Sequence, residues 1–285
     1  MASSALNQKS SFHARSNSLP SRPHQLIPQI DEHLYRLKSN AVATSSSSSI
    51  TEELNGLRDL YELVDNWLQL PSTQNSLAQS CNDNELLNGS LRLLDVCGLA
   101  KDALFQAKDD TQQLQSVFRR RRVDDARFAN EAKAYMASRK KANKLINKCM
   151  KDLKIRKCGS HNDVEATFAM LKYVEGVTFS VLQSVFRYIT VSVPEPNSTN
   201  WSLVSKLMRS KRVTCEERAS GSNEFERVNA TLCSLIGSKT KTEKAQVELQ
   251  NLESRIRDVE GDVECLMRLL IKARVSILNI VAINC

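Results

Sequence analysis

Apolar side chains recur along this chain at alternating intervals of three and four residues, the spacing that holds them on one face of an α-helix. The clearest run is C-terminal. Ala245, Leu249, Leu252, Ile256, Val259, Val263, Leu266, Leu270, Ala273, Ile277 and Ile280 alternate four and three without an error. With Glu, Lys, Arg and Asp between its positions, this is a coiled-coil-type seam. It is expected to pack within the chain, with oligomerisation through the 245–280 heptads as the alternative.

Leu93, Cys97, Ala100, Leu104, Ala107, Thr111, Leu114 and Phe118 make a second long stripe, preceded by a cap at Asn82 and Glu85. Leu54, Leu57, Tyr61, Val64 and Leu68 make another, entered through a Ser49/Glu52 capping box and ended by Pro71. Phe128, Ala132, Tyr135, Ala142, Leu145, Cys149 and Leu153 mark a further helix, with Gly159 as C-cap and Ser160 as the next N-cap. Val164, Phe168, Leu171, Thr178, Leu182, Val185 and Ile189 follow, before Pro194 and Pro196 break the chain. Shorter helical segments are predicted at Leu26–Leu37, at Trp201–Met208 and through Phe225, Val228, Leu232 and Leu235. Gly237 closes the last of these, and a Thr240/Glu243 capping box opens the C-terminal helix.

These elements predict an all-α fold, an elongated bundle of long antiparallel helices with a coiled-coil-like C-terminal helix and a disordered N-terminal tail. Residues 1–30 hold no Asp or Glu but seven Ser and three Pro, too little apolar surface to fold. Residues 31–285 are read as one domain with short linkers near 39–49, 193–200 and 210–223. Composition agrees: aromatics are 5%, and no proline lies between Pro71 and Pro194, which permits long uninterrupted helices.

Charge changes the picture. Residues Arg119 to Lys157 carry fifteen Lys/Arg and four Asp/Glu, a local balance of +11 within a chain of net charge +8. The remainder is therefore slightly acidic, and one segment makes the chain basic. Arg119, Arg120, Arg121 and Arg122 form a run at a predicted helix end, where cations suit the helix dipole. Lys141, Lys144, Lys148 and Lys151 share one helical face. Such a surface suits an acidic partner or anionic lipid, or else is a solvated face paired with acidic neighbours. Nucleic acid fits less well, because aromatics are not interleaved with the charge.

No catalytic, cofactor-binding or metal-ligating set is identified, and the chain is expected to be no enzyme. Cys158-Gly-Ser-His161 has half the spacing of a zinc site, and Gly237-Ser-Lys-Thr240 lacks the upstream glycine and strand of a phosphate loop. The eight Cys are scattered without a C-x-x-C pair and read as reduced thiols, several at apolar helical positions. No secretory signal or membrane-length apolar run is read, which points to the cytoplasm. The acid-free, Ser/Arg-containing start also fits a plastid transit segment, and the basic helix a peripheral membrane location.

Arg15-Ser16-Asn-Ser18-Leu-Pro20 carries the R-S-x-S-x-P pattern read by 14-3-3 proteins once Ser18 is phosphorylated. Arg15 three residues before Ser18 also suits a basophilic kinase.

Ser11 to His24, Glu85-Leu-Leu-Asn-Gly-Ser-Leu-Arg-Leu-Leu-Asp-Val-Cys-Gly98, Leu114 through the Arg run, Trp201 to Met208, and Ile271-Lys-Ala-Arg-Val-Ser-Ile-Leu-Asn279 lie in order along the chain. Together they resemble the plant BYPASS-like (BPS-type) family. The chain departs at Cys81-Asn-Asp-Asn84, where a Trp-containing stretch is typical, and at its final Ile-Asn-Cys. The resemblance implies a helical protein without established enzymatic activity, linked to root and shoot development. It supplies no catalytic residues. The leading expectation is a non-enzymatic interaction protein, and the alternative is a peripheral membrane adaptor using the basic helix on anionic lipid.

Overall fold

The 245–280 seam sets the axis of the fold. In a computed structural model of the chain, which describes residues 25–40, 46–79, 83–120, 125–155, 166–190, 223–236 and 242–282, every seam position is buried. The described residues form eight α-helices: α1 (Leu26–Asn40), α2 (Ser47–Leu68), α3 (Pro71–Ala78), α4 (Asp83–Arg119), α5 (Asp125–Ile155), α6 (Ala166–Ile189), α7 (Glu224–Ile236) and α8 (Thr242–Ala282). At 1.5 Å per residue the 41 residues of α8 run about 60 Å, so the bundle is elongated.

Helices α2, α4, α6 and α8 form the centre of the bundle, and the others pack against it, each adding buried residues to the core. Side-chain pairs fix their directions. Gln115 donates to the Leu249 carbonyl at 3.0 Å, Gln112 to Glu253 at 2.8 Å, and Arg274 to Ser90 Oγ at 2.8 Å, so α4 and α8 are antiparallel. Tyr61 OH bonds Thr178 Oγ1 at 3.0 Å, while Glu53 lies beside Ser184, so α2 and α6 are antiparallel. Lys272 pairs with Asp65 at 2.9 Å and Thr51 lies beside Asp262, so α2 and α8 run parallel. Lys172–Glu85 and Arg92–Glu175, at 3.2 and 2.9 Å, make α4 and α6 parallel as well. Parallel neighbours need a return path. Helix α5 supplies it between α4 and α6, which is why this long helix lies on the flank with one face left to solvent.

The α8 seam is covered by α4 and α2 of the same chain. Association of copies through these heptads would have to displace one of them.

Several boundaries differ from those the sequence suggests. Helix α1 starts at Leu26 as its spacing predicts, although residues 26–30 fall in the stretch assigned to the tail, and continues past Leu37 to Asn40 in the predicted linker. Ile30, Leu34 and Leu37 bury one face of it against α2 and α6. Gly56 lets α1 approach, since a Cβ there would lie 2.8 Å from Leu37 Cδ2. The cap of α2 is Ser46, whose Oγ accepts from Ser49 N, three residues before the predicted box. Pro71 opens α3 at its first turn instead of only ending α2. Asn223, predicted as loop, caps α7: its Oδ1 accepts from Phe225 N and its Nδ2 donates to the Tyr188 carbonyl, both at 2.8 Å. The predicted caps at Asn82, Gly159, Ser160 and Thr240, the Trp201–Met208 segment, and the half-site Cys158/His161 lie outside the described residues.

Candidate functional site

Helix α5 sorts its residues by chemistry around its axis. Ala132, Tyr135, Arg139 and Ile146 are buried, while Lys133, Lys140, Lys141, Lys144, Lys148 and Lys151 are exposed. At 100° per residue those lysines fall on the face opposite the buried stripe. No Asp or Glu occurs in α5 between Glu131 and Asp152.

The lysines predicted to share a face therefore do so. Four lysines elsewhere in the bundle are paired: Lys101 with Glu264 at 2.7 Å, Lys108 with Glu260 at 2.5 Å, Lys172 with Glu85 and Glu175, and Lys272 with Asp65. Lys38 and Lys244 make no ion pair among the described residues but stand apart from other lysines on their helices. Lys141, Lys144, Lys148 and Lys151 make no ion pair among the described residues. A face quietly balanced by acidic neighbours would look like the first group, and these four do not. Leu145, placed by the sequence in the buried stripe, is instead 57% exposed, one turn from Lys141 and Lys148. Ile146 takes the core position.

Of the Arg run, Arg119 ends α4 and donates to Gln115 Oε1 at 3.3 Å, and Arg120 is exposed. Arg121 and Arg122 lie outside the described residues, as do Arg15, Ser16, Ser18 and Pro20. The side chains of Phe128 and Leu153 also fall outside them.

Arg139 was not legible as a core residue. Only 3% exposed, its Nη2 donates to the Ile189 carbonyl at the end of α6, and its guanidinium lies over the Phe225 ring. Tyr188 meets the same ring edge-on, with centroids 5.2 Å apart. Burial pulls the Arg139 pKa below the usual arginine range and pushes that of Tyr135 up to about 12. Arg139 thus ties α5 to the ends of α6 and α7, and fixes which face of α5 turns outward.

A second polar node joins α4, α6 and α8. Glu175 receives Arg92 at 2.9 Å and Lys172 at 2.6 Å, and its carboxylate lies where a Cβ on Gly89 would sit. Arg274 donates to the Leu87 carbonyl and, at 2.8 Å, to Ser90 Oγ. Cys97 Sγ–H faces the Val263 carbonyl at 3.6 Å, and burial pushes the thiol up to about 12. The node borders a cavity of about 40 Å³ lined by Tyr61, Leu93, Leu171, Ser90, Glu175 and Arg274. That is room for water and well short of a metabolite site. One sequence signal for the node existed, Gly89 inside a helix with no capping role; that the separated stretches 85–98 and 271–279 meet is shown by the Arg274 bonds to Leu87 and Ser90.

Among the described residues, no group of three or more His, Cys, Asp or Glu side chains is placed to hold a metal ion. None of the described helices is long and apolar enough to cross a membrane. A crevice of about 170 Å³ between α4 and α5 presents Asp110, Glu131, Tyr135 and Ser138, with Ser138 Oγ donating to Asp110 at 2.7 Å.

No curated protein and no solved structure matches the chain. The model of the family described as Protein BPS1 matches residues 53–280, from the first turns of α2 through the α8 seam and across both stretches that build the polar node, and the chain belongs to that family.

Proposed function

We propose that this chain is a non-enzymatic helical interaction protein whose contact surface is the outward lysine face of α5. The observation that carries the reading is the contrast among its lysines. Four exposed cations share one face, Lys141, Lys144, Lys148 and Lys151, and among the described residues none has a carboxylate partner of the kind that Lys101, Lys108, Lys172 and Lys272 possess. Like charges held close together on a folded surface repel one another. The arrangement is relieved by an anionic surface supplied from outside.

Family membership supports a regulatory role in plant root and shoot development, exercised through contacts of this kind. Phosphorylation of Ser18 would add a second contact, to 14-3-3 proteins, through the 15–20 motif. The bundle is the scaffold: Arg139 and the α4/α6/α8 node hold the helices that present the surface.

Affinity purification of the full chain tests this. The Lys141→Glu/Lys144→Glu/Lys148→Glu/Lys151→Glu variant is expected to lose most of what the parent retains. An unchanged set of retained partners would refute the reading.

A further inference from the structure

We propose that the lysine face of α5 docks the protein on anionic lipid bilayers, with Leu145 entering the headgroup layer. This deepens, and rests on, the reading of that face as a contact surface.

The chemistry of the face favours a membrane over a specific acidic polypeptide or a nucleic acid. Among the described residues every cation on it is a lysine, Lys133, Lys140, Lys141, Lys144, Lys148 and Lys151, while the one arginine between Lys133 and Lys151, Arg139, is buried. Recognition of individual phosphates or carboxylates uses the planar, bidentate fork of arginine. A smeared negative surface needs only point charges on flexible stems. No aromatic side chain stands among these lysines as a stacking platform for bases.

The shape agrees. Lys133 to Lys151 spans about 27 Å along one helix, a straight line of contact that a plane can meet all at once. A single exposed leucine beside the lysines supplies the apolar foot that such helices place at the acyl boundary. Opposite the lysines, the buried stripe through Ile146 keeps α5 fixed to the bundle, so the helix lies on the bilayer without leaving the fold.

Each lysine near an anionic surface strengthens partitioning about fivefold, equal to about 1 kcal/mol. Four together give roughly two to three orders of magnitude.

The test is co-sedimentation of the full chain with vesicles of phosphatidylcholine alone or with about one-third phosphatidylserine, the anionic lipid of cytoplasmic leaflets. Polyglutamate beads serve as the acidic-polypeptide arm. The parent is expected to bind the anionic vesicles only. The Lys141→Gln/Lys144→Gln/Lys148→Gln/Lys151→Gln variant should lose at least a hundredfold, and Leu145→Ser a few-fold. All five positions are exposed, so the variants keep their helical circular dichroism. Equal binding to neutral vesicles, or binding unaffected by the quadruple variant, overturns the proposal. Retention on polyglutamate without vesicle binding also overturns it but leaves the contact-surface reading standing. Binding to neither overturns the proposal, and an unchanged partner set in the affinity purification then overturns that reading as well.

Discussion

The guanidinium carbon of Arg139 lies 4.5 Å from the centre of the Phe225 ring, in the core between α5 and α7. Among the described residues no carboxylate stands within ion-pair distance of it, and its Nη1 is a buried donor without a partner. Its stabilising work is therefore packing, cation–π attraction and one bond to the Ile189 carbonyl.

Truncation and isosteric replacement at this position should then diverge. Arg139→Ala leaves a cavity and an orphaned carbonyl, a loss of about 2–4 kcal/mol. Arg139→Met leaves the same carbonyl unpaired but fills the volume and removes a desolvated charge, so stability stays within about 1 kcal/mol of the parent. Urea unfolding of the two variants checks the split.

Two glycines of the family-like 85–98 stretch should respond oppositely to the same change. A Cβ at Gly89 collides with the Glu175 carboxylate, while one at Gly98 meets nothing within 4 Å. Gly89→Ala should cost about 1–3 kcal/mol by displacing Glu175 from Arg92 and Lys172. Gly98→Ala should gain about 0.5–1 kcal/mol from helix propensity. Thermal unfolding measures both signs.

Adjacent residues of α8 test the seam. Leu270 is 2% exposed and Ile271 is 46% exposed. Leu270→Ala is expected to cost about 2–5 kcal/mol, and Ile271→Ala less than about 1 kcal/mol. Similar losses at both positions would mean that α8 is rotated from the register described.

Glu53 gives a pH signature. Burial pushes its pKa up, against hydrogen bonding from Ser184 and Ser49 and the attraction of Arg187. A raised carboxyl pKa means the folded state holds the proton more tightly than the unfolded chain. The stability this confers is present below the ordinary glutamate range and is lost as pH rises through the raised value. Near pH 7, Glu53→Gln should therefore melt higher than the parent, and the difference should shrink as pH falls toward about 4.3. Melting curves of the pair across that window decide it.

The long seams of the bundle were legible because apolar residues of high burial tendency mark them at nearly every position. The α8 seam is buried at each predicted residue, and the α4 seam at each but the half-buried Phe118. The α5 stripe was only half legible. The regular series runs 132, 135, 139, 142, 146, 149, but position 139 is an arginine, and charge is ordinarily read as solvent-facing. Passing over Arg139 shifts the register and puts Leu145 inside in place of Ile146. Helix α3 was hidden by Pro71, which ends one helix and opens the next with the same ring. Of the candidate surface, the lysine face was legible as a spacing. The absence of ion partners was not, because partners come from other helices.

The proposed function requires the α5 lysine face to be occupied when the protein works. Amine acetylation followed by mass spectrometry reads this directly, comparing purified chain with the protein in freshly broken cells. The prediction is strong protection of Lys141, Lys144, Lys148 and Lys151 in the cell extract, with the exposed Lys244 of α8 labelled equally in both. Equal labelling of the four lysines in the two preparations would contradict it.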